Sequence, residues 1–241
     1  MSEHAFSSET KELLETVSVA TLATALYKRG LRHQVIQDVR PVERKGRNMV
    51  GPAYTLRYMP AREDRNQLVE FRNPRHPQRH AVETCPPGHV MVMDSRKSAS
   101  AASAGDILIT GLMKRGAAGV VTDGGFRDAM NIGELEMPAY HNRPSSPTNL
   151  TTNEAIDINV PIGCGDAPVF PGDIVVGDDD SVIIIPAHLA EEIAKEAVEM
   201  TAFEDFVMSK VLTGATIVGL YPATKEANLE EFKEWRAKNG R

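Results

Sequence analysis

Residues 117–128, Ala-Ala-Gly-Val-Val-Thr-Asp-Gly-Gly-Phe-Arg-Asp, constrain this chain more than any other stretch. The apolar run 118–121 reads as a buried strand. It ends in Asp123-Gly124-Gly125, a turn signal, and Arg127 and Asp128 follow directly. On a regular strand neighbouring side chains point to opposite faces; just past a glycine turn both can be aimed at one pocket. A guanidinium beside a carboxylate there can hold an anionic substrate and a divalent cation together, which is equipment for metal-assisted chemistry on a 2-oxo acid.

The 241 residues suffice for one sizeable core or two small ones. Acidic residues outnumber basic ones, 33 to 27, for a net charge of −6. This argues against a general nucleic-acid binder, which shows a basic excess, but not against a small acidic substrate, because local arginines override the global charge. No window approaches the ~18 apolar residues of a membrane span, so no membrane partner is expected. Met1-Ser2-Glu3-His4 lacks a basic region followed by an apolar run, so no secretory signal is expected. Cys85 and Cys164 have no metal-ligand spacing and read as small buried hydrophobes, in keeping with a cytoplasmic location.

Along the chain, Ser7-Ser8 and the acids after them predict a helix start, with one apolar face running to a stop at Gly30. Strands are expected over 35–42 (interrupted by Pro41), 48–59, 89–94, 118–121, 137–141, 156–162, 174–176 and 182–185, and a hairpin-like region begins at Val169-Phe170. Residues 60–87, rich in charge, proline and histidine, read as a long loop with one helical turn. Helices are expected over 105–115, 128–135, 187–200, 204–212 and 225–238. The alternating middle implies a parallel component. The whole reads as one mixed α/β domain spanning 1–241, with helical appendages at both ends.

The segments Gly105-Asp106-Ile107-Leu108, 115–121 and 123–128, with Gly51-Pro52-Ala53-Tyr54-Thr55, Pro138-Ala139-Tyr140 and residues 169–178 and 181–186, together resemble the 4-hydroxy-4-methyl-2-oxoglutarate aldolases and the related regulator of ribonuclease activity A. The resemblance covers about residues 17–198, leaving 199–241 as a helical extension. It implies a swivelling-type β/β/α core in trimers or dimers of trimers, with active sites between subunits. It also implies a class II aldolase using Mg2+ or Mn2+, often with oxaloacetate decarboxylase activity. In that family the aspartate matching Asp128 holds the metal, partly through waters. The arginine matching Arg127 contacts substrate, and the helix start matching Gly105, Asp106, Ile107 and Leu108 contributes amides and an acidic side chain. Ala104 stands where the family often has an aromatic residue.

Taken with that resemblance, each residue has a chemical reading beside a plain one. A 2-oxo acid offers carboxylate and keto oxygens to one hard cation, anchored by Asp128. Arg127 neutralises charge on the carboxylate or enolate oxygen; the plain alternative is a loop salt bridge or a solvated pair. Free amides at the 105–108 helix start bind anions, and Asp106 has two candidate roles, orienting or deprotonating a metal-bound water, or taking the 4-hydroxyl proton. Its plain alternative is a capping box begun by Ser103. Any of Arg57, Arg62, Arg65, Arg72, Arg75 and Arg79 is a candidate for a second carboxylate. His76 and His80 are set aside as a metal pair because Pro77 discourages a helix there. Asp178-Asp179-Asp180 reads as a solvated turn, and Glu191 and Glu192 as surface charge. Hydrolase, NTPase and dinucleotide fingerprints are absent.

The expected function is therefore a divalent-metal-dependent lyase cleaving a 4-hydroxy-2-oxo acid to pyruvate and a carbonyl compound. Two alternatives remain open: a non-catalytic ribonuclease-binding regulator, and a dehydratase or isomerase of a sugar-derived acid on the same site. A Schiff-base route is disfavoured, since Lys97 and Lys114 have no evident means of lowering their pKa.

Overall fold

The longest strand, Met49–Pro60, sorts its side chains between two different cores. Val50, Tyr54, Leu56 and Tyr58 pack against helices, whereas Met49 and Ala53 join a separate cluster. This period-two division is what a pleated strand buried on both faces requires. The computed structural model describes residues 6–241, so Met1-Ser2-Glu3-His4 lies outside the described residues.

Eight strands follow one path: Val35–Ile36, Val182–Ile185, Ile174–Gly177, Met49–Pro60, Val90–Asp94, Gly119–Thr122, Ala139–His141 and Arg40–Pro41, with Asn153–Ile158 added on the long strand. The pairings from Met49–Pro60 through Val90–Asp94 and Gly119–Thr122 to Ala139–His141 are parallel; the others are antiparallel. The path begins at Val35–Ile36 and ends at Arg40–Pro41. Four residues reach at most about 14 Å, whereas eight flat strands would span about 34 Å. The sheet is therefore rolled until its two edges approach.

Val90, Val92, Val121, Tyr140, Val175 and Ile184 fill one side of this roll together with the hairpin Ile162–Cys164/Ala167–Val169. Tyr140 reaches across it, its hydroxyl donating to the Asp178 carbonyl at 2.9 Å. Gly177 makes room, since a Cβ there would lie 2.7 Å from the Tyr140 ring. On the other side, helices Ser8–Leu14, Val19–Lys28 and Ala190–Val211 cover Val50, Ile174, Val176, Ile183 and Ile185. Helices Pro77–Thr84, Asp106–Lys114 and Ala129–Glu134 cover Tyr54, Leu56, Met91, Met93 and Val120.

Three successive parallel strands each continue into a short strand of a second layer: Ala102–Ala104, Gly125–Phe126 and Arg143–Pro144. These form their own parallel sheet. The first two lead directly into helices Asp106–Lys114 and Ala129–Glu134. This is the mixed α/β architecture with helices at both ends that the sequence implies.

Several elements depart from expectation. The N-terminal helix is two helices, because Ser18 starts a new one by accepting the Thr21 amide. Asn48 holds the break, donating to the carbonyls of Leu14 at 3.0 Å and Val17 at 2.7 Å. The segments expected as helices 187–200 and 204–212 form one continuous helix, Ala190–Val211, and no glycine or proline stands between them. The loop 60–87 contains a 3-10 helix, Leu68–Arg72, and an α-helix, Pro77–Thr84. Pro77 opens that helix at its first turn, where proline lacks only an amide that has no partner anyway. The final helix, Glu226–Asn239, docks on Ala190–Val211 through Phe203, Phe206, Phe232 and Trp235.

His141 stacks on Phe126 with ring centroids 5.7 Å apart, and its buried Nδ1 has no partner. Burial, with a smaller contribution from Arg40, pushes its pKa down to about 4. In the unfolded chain it titrates near 6.5, so the unfolded state takes up the proton first. The stability His141 contributes is present above about pH 6.5 and is lost as pH falls through about 4. Denaturation curves are expected to show a loss of up to about 3 kcal/mol across that window, flattened in a His141→Phe variant.

Candidate active site

The register of the second-layer sheet brings the two sequence motifs together. Ala102 and Ala104 pair in parallel with Gly125 and Phe126, and the Arg127 amide donates to the Ala104 carbonyl at 2.9 Å. Gly105 and Arg127 are thus the next residues out on adjacent strands. A Cβ on Gly105 would lie 3.3 Å from Asp128 Oδ2 and 3.6 Å from Arg127 Cβ. Glycine is what permits the carboxylate to come this close to the start of the Asp106–Lys114 helix.

Gly105, Asp106, Ile107, Leu108, Arg127 and Asp128 all line one open cleft of about 310 Å³. Asp128 has a left-handed backbone, φ 55° and ψ 39°, as the residue before helix Ala129–Glu134. That turn carries Arg127 and Asp128 past the strand end. Neither side chain has a hydrogen bond or ion pair with any described residue, so the loop salt bridge does not form; both side chains are exposed, as the solvated-pair alternative also requires. A second cleft of about 310 Å³, lined by Lys11, Glu15, Arg47 and Glu136, contains none of these residues.

Asp106 is more engaged. Its Oδ1 accepts the Ile107 amide at 2.7 Å and its Oδ2 accepts from Asn131 Nδ2 at 2.9 Å. It therefore ties the starts of the two helices flanking the cleft, and two lone-pair positions remain. Ser103 does not cap the helix. It is buried in a hydroxyl cluster, its Oγ 2.6 Å from both Ser95 Oγ and Thr122 Oγ1.

Among the described residues no group of three or more His, Cys, Asp or Glu side chains is placed to hold a metal. A closed cage of the zinc type is thus not offered. A single unpaired aspartate on an open cleft instead suits a hard cation that keeps most of its waters, as Mg2+ does; Asp128 fits that description.

Other candidates resolve structurally. Asp178 Oδ2 accepts the Val19 amide at 2.8 Å, and its Oδ1 binds the amides of Asp180 and Ser181. Glu192 pairs with Arg29 at 2.6 Å, and Glu191 with Lys195. Lys97 pairs with Asp166. Burial pushes the Cys85 thiol up to about 12 and Cys164 well above its ordinary value, so both are inert small hydrophobes. His76 is buried beside Phe71 and His80 is exposed, so the two share no metal site, although Pro77 does permit the helix. Of the six arginines singled out, Arg79 alone lines the cleft, with Phe71, Gln78 and Asn149. Sequence reasoning did not single out these last three: nothing local marks a phenylalanine, glutamine or asparagine as facing a site built by distant segments.

The rolled mixed sheet with its parallel second layer is the architecture of a family to which the sequence also belongs. The chain matches the RraA-like family, described as Aldolase/RraA, over residues 19–184, and belongs to it. Over 125 residues it is 34% identical to a Halalkalibacterium halodurans protein named "Putative 4-hydroxy-4-methyl-2-oxoglutarate aldolase", covering 52% of this chain and 59% of that one. The chain thus spans less than two thirds of that relative's length. The crystal structure of Streptomyces coelicolor RraAS2, described as an unusual member of the RNase ES inhibitor RraA protein family, superposes with a TM-score of 0.73 at 30% identity, covering 83% of this chain and 96% of that one. An uncharacterized Pseudomonas syringae protein shares the fold at TM-score 0.78 and 19% identity, over 92% and 96% of the two chains.

The left-handed backbone at Asp128 sets a stability expectation. Asparagine tolerates this conformation and a β-branched residue does not. Asp128→Asn is expected to melt like wild type. Asp128→Val is expected to lose about 1–2 kcal/mol in chemical denaturation.

Proposed function

We propose that this chain is a divalent-metal-dependent carbon–carbon lyase that cleaves a 4-hydroxy-2-oxo acid to pyruvate and a second carbonyl compound. The observation that carries this reading is the convergence of unpaired Arg127 and Asp128 with the Gly105–Leu108 turn on one cleft. The aldolase name of the 34% identical relative supports it.

In this reading Arg127 binds the 2-oxo acid carboxylate through charge-assisted hydrogen bonds. The amides of Asp106 and Leu108, at a helix start without intrahelical acceptors, add donors to the same anion. Asp106 accepts the proton of the 4-hydroxyl; C4 becomes a carbonyl as the C3–C4 bond breaks, and its electron pair passes into the enolate of pyruvate. Arg127 stabilises the charge that develops there, and protonation at C3 gives pyruvate. Asp128 would hold Mg2+ or Mn2+ with waters, and the bound cation supplies Lewis acidity toward the 2-oxo oxygen. Oxaloacetate decarboxylation leads to the same enolate and is expected as a second activity. Ile107 on this cleft and Met130 on a separate one, 83% and 85% exposed, support assembly as a trimer or dimer of trimers, in which a neighbouring copy would cover them.

The test is a coupled pyruvate assay over 4-hydroxy-2-oxo acids and oxaloacetate, with and without chelator. Wild type is expected to release pyruvate only with the cation. Asp128→Asn is expected to be inactive yet folded, and Arg127→Lys to lose about 10- to 100-fold, because ammonium lacks the planar fork. Full turnover by folded Asp128→Asn removes the metal role, and wild-type kinetics in Arg127→Lys removes Arg127 from the mechanism.

The 30% identity to RraAS2 over 83% of the chain favours one alternative, a ribonuclease-binding regulator. Protein that releases no pyruvate with any of these substrates, with or without Mg2+, yet inhibits a ribonuclease, would establish that reading instead.

A further inference from the structure

We propose that Asn131 is a positioning residue for Asp106, holding its carboxylate as the acceptor of the 4-hydroxyl proton. The inference rests on the reading of the cleft as a lyase site and assigns the residue that aims its base.

Asp106 opens helix Asp106–Lys114 directly after Gly105, which has no side chain to cap that helix. An aspartate is loosely defined about its last torsion, so one hydrogen bond leaves the plane of its carboxylate free to turn. Here both oxygens are held, Oδ1 by the Ile107 amide at 2.7 Å and Oδ2 by Asn131 Nδ2 at 2.9 Å. The first bond is local, from the next residue of the same helix. The second comes from helix Ala129–Glu134, in which Asn131 is the third residue and Asp128 the residue before the first. One turn of backbone therefore connects the residue assigned to the cation with the residue that holds the base.

The residue type fits this role. Asn131 is exposed, and its side chain has no other hydrogen-bond partner among the described residues. Asparagine within a helix is unfavourable relative to alanine, and the bond to Asp106 is what its side chain adds. An amide donates to a carboxylate without bringing charge. A lysine at this position would neutralise Asp106 and put a second cation one turn from Asp128, and a glutamate would repel both carboxylates. The two lone-pair positions left on Asp106 stay available to substrate. The consequence is confined to one chemical step. Cleavage of the C3–C4 bond in a 4-hydroxy-2-oxo acid needs a base at the 4-hydroxyl. Oxaloacetate has no such hydroxyl; as CO2 leaves, the C3–C4 electron pair passes into the enolate with no proton taken from C4.

Steady-state kinetics on the Mg2+-supplemented protein test this, with a panel of 4-hydroxy-2-oxo acids that includes 4-hydroxy-4-methyl-2-oxoglutarate, and with oxaloacetate. Alanine favours the helix, so Asn131→Ala is expected to melt like wild type. Its kcat for cleavage is expected to fall about 10-fold, while its KM, its calorimetric affinity for pyruvate and its rate of decarboxylation stay unchanged. Asn131→Asp, of the same shape but without the donor, is expected to lose at least as much. Adding Asn131→Ala to Asp106→Asn is expected to cost nothing further, because Asn131 acts through Asp106. Cleavage at the wild-type rate by Asn131→Ala, an equal loss of cleavage and decarboxylation, or a further loss in the double variant overturns the positioning role and leaves the lyase reading standing. Wild type that cleaves no 4-hydroxy-2-oxo acid overturns both.

Discussion

The carboxylate of Asp123 is 1% exposed and accepts three backbone amides, from Ser95 at 2.6 Å, Lys97 at 3.0 Å and Gly165 at 3.1 Å. Burial raises its pKa, and these three bonds oppose the rise. The donors come from the loop after strand Val90–Asp94 and from the turn of the Ile162–Cys164/Ala167–Val169 hairpin. One side chain at the end of strand Gly119–Thr122 therefore fixes the neighbouring strand's exit and the hairpin packed inside the roll. Losing it would strand two buried donors, the amides of Ser95 and Gly165, each costing about 1–3 kcal/mol. Directly above, Ser95, Ser103 and Thr122 share hydroxyl bonds, and the Gly124 amide donates to Thr122 Oγ1 at 3.0 Å. Gly124 has no room for a side chain, since a Cβ would meet Ser95 at 2.7 Å. The turn that launches Arg127 and Asp128 thus stands on a closed polar network, not on a flexible loop.

That foundation explains how residues twenty apart come to share a cleft. Each parallel strand hands its chain to a second-layer strand, and each second-layer strand to a helix start. Two such units side by side put two helix starts side by side. Gly105 and Arg127 converge because Ala104 pairs with Phe126, a consequence of register that a one-residue slip would undo. Asp106 then links the adjacent helix through Asn131, so the cleft wall is braced above as well as below.

The strands were legible in sequence because alternation and β-branched runs are local signals; Gly30, at φ 82°, was legible as a helix stop for the same reason. The convergence of the 105–108 and 127–128 segments follows from the family resemblance and not from any local signal in either segment. What sequence could not supply was partnership over distance. The break at Ser18 depends on Asn48, thirty residues on. Asp123 reads as a turn residue, and only the fold reveals three amides around its carboxylate. Ser103 carries the cap residue type at a helix start, but the second-layer strand turns it inward toward Thr122. Pro77 reads as a breaker until its position at the first helical turn is known.

The same distinction between local and distant partnership governs charge. A net charge of −6 describes the surface average, and most ion pairs here are exposed ones, such as Arg62 with Asp64 and Lys195 with Glu191. Such pairs contribute little to stability. The informative charges are those the fold declines to pair. Arg79 and Arg127 reach one cleft from segments about fifty residues apart, and Asp128 sits between Gly105 and solvent with its oxygens free. The cleft thus sets two guanidiniums, Arg79 and Arg127, beside two carboxylates, Asp106 and Asp128. On the proposed reading, the arginine attracts the substrate carboxylate while the aspartates keep the cation from being repelled.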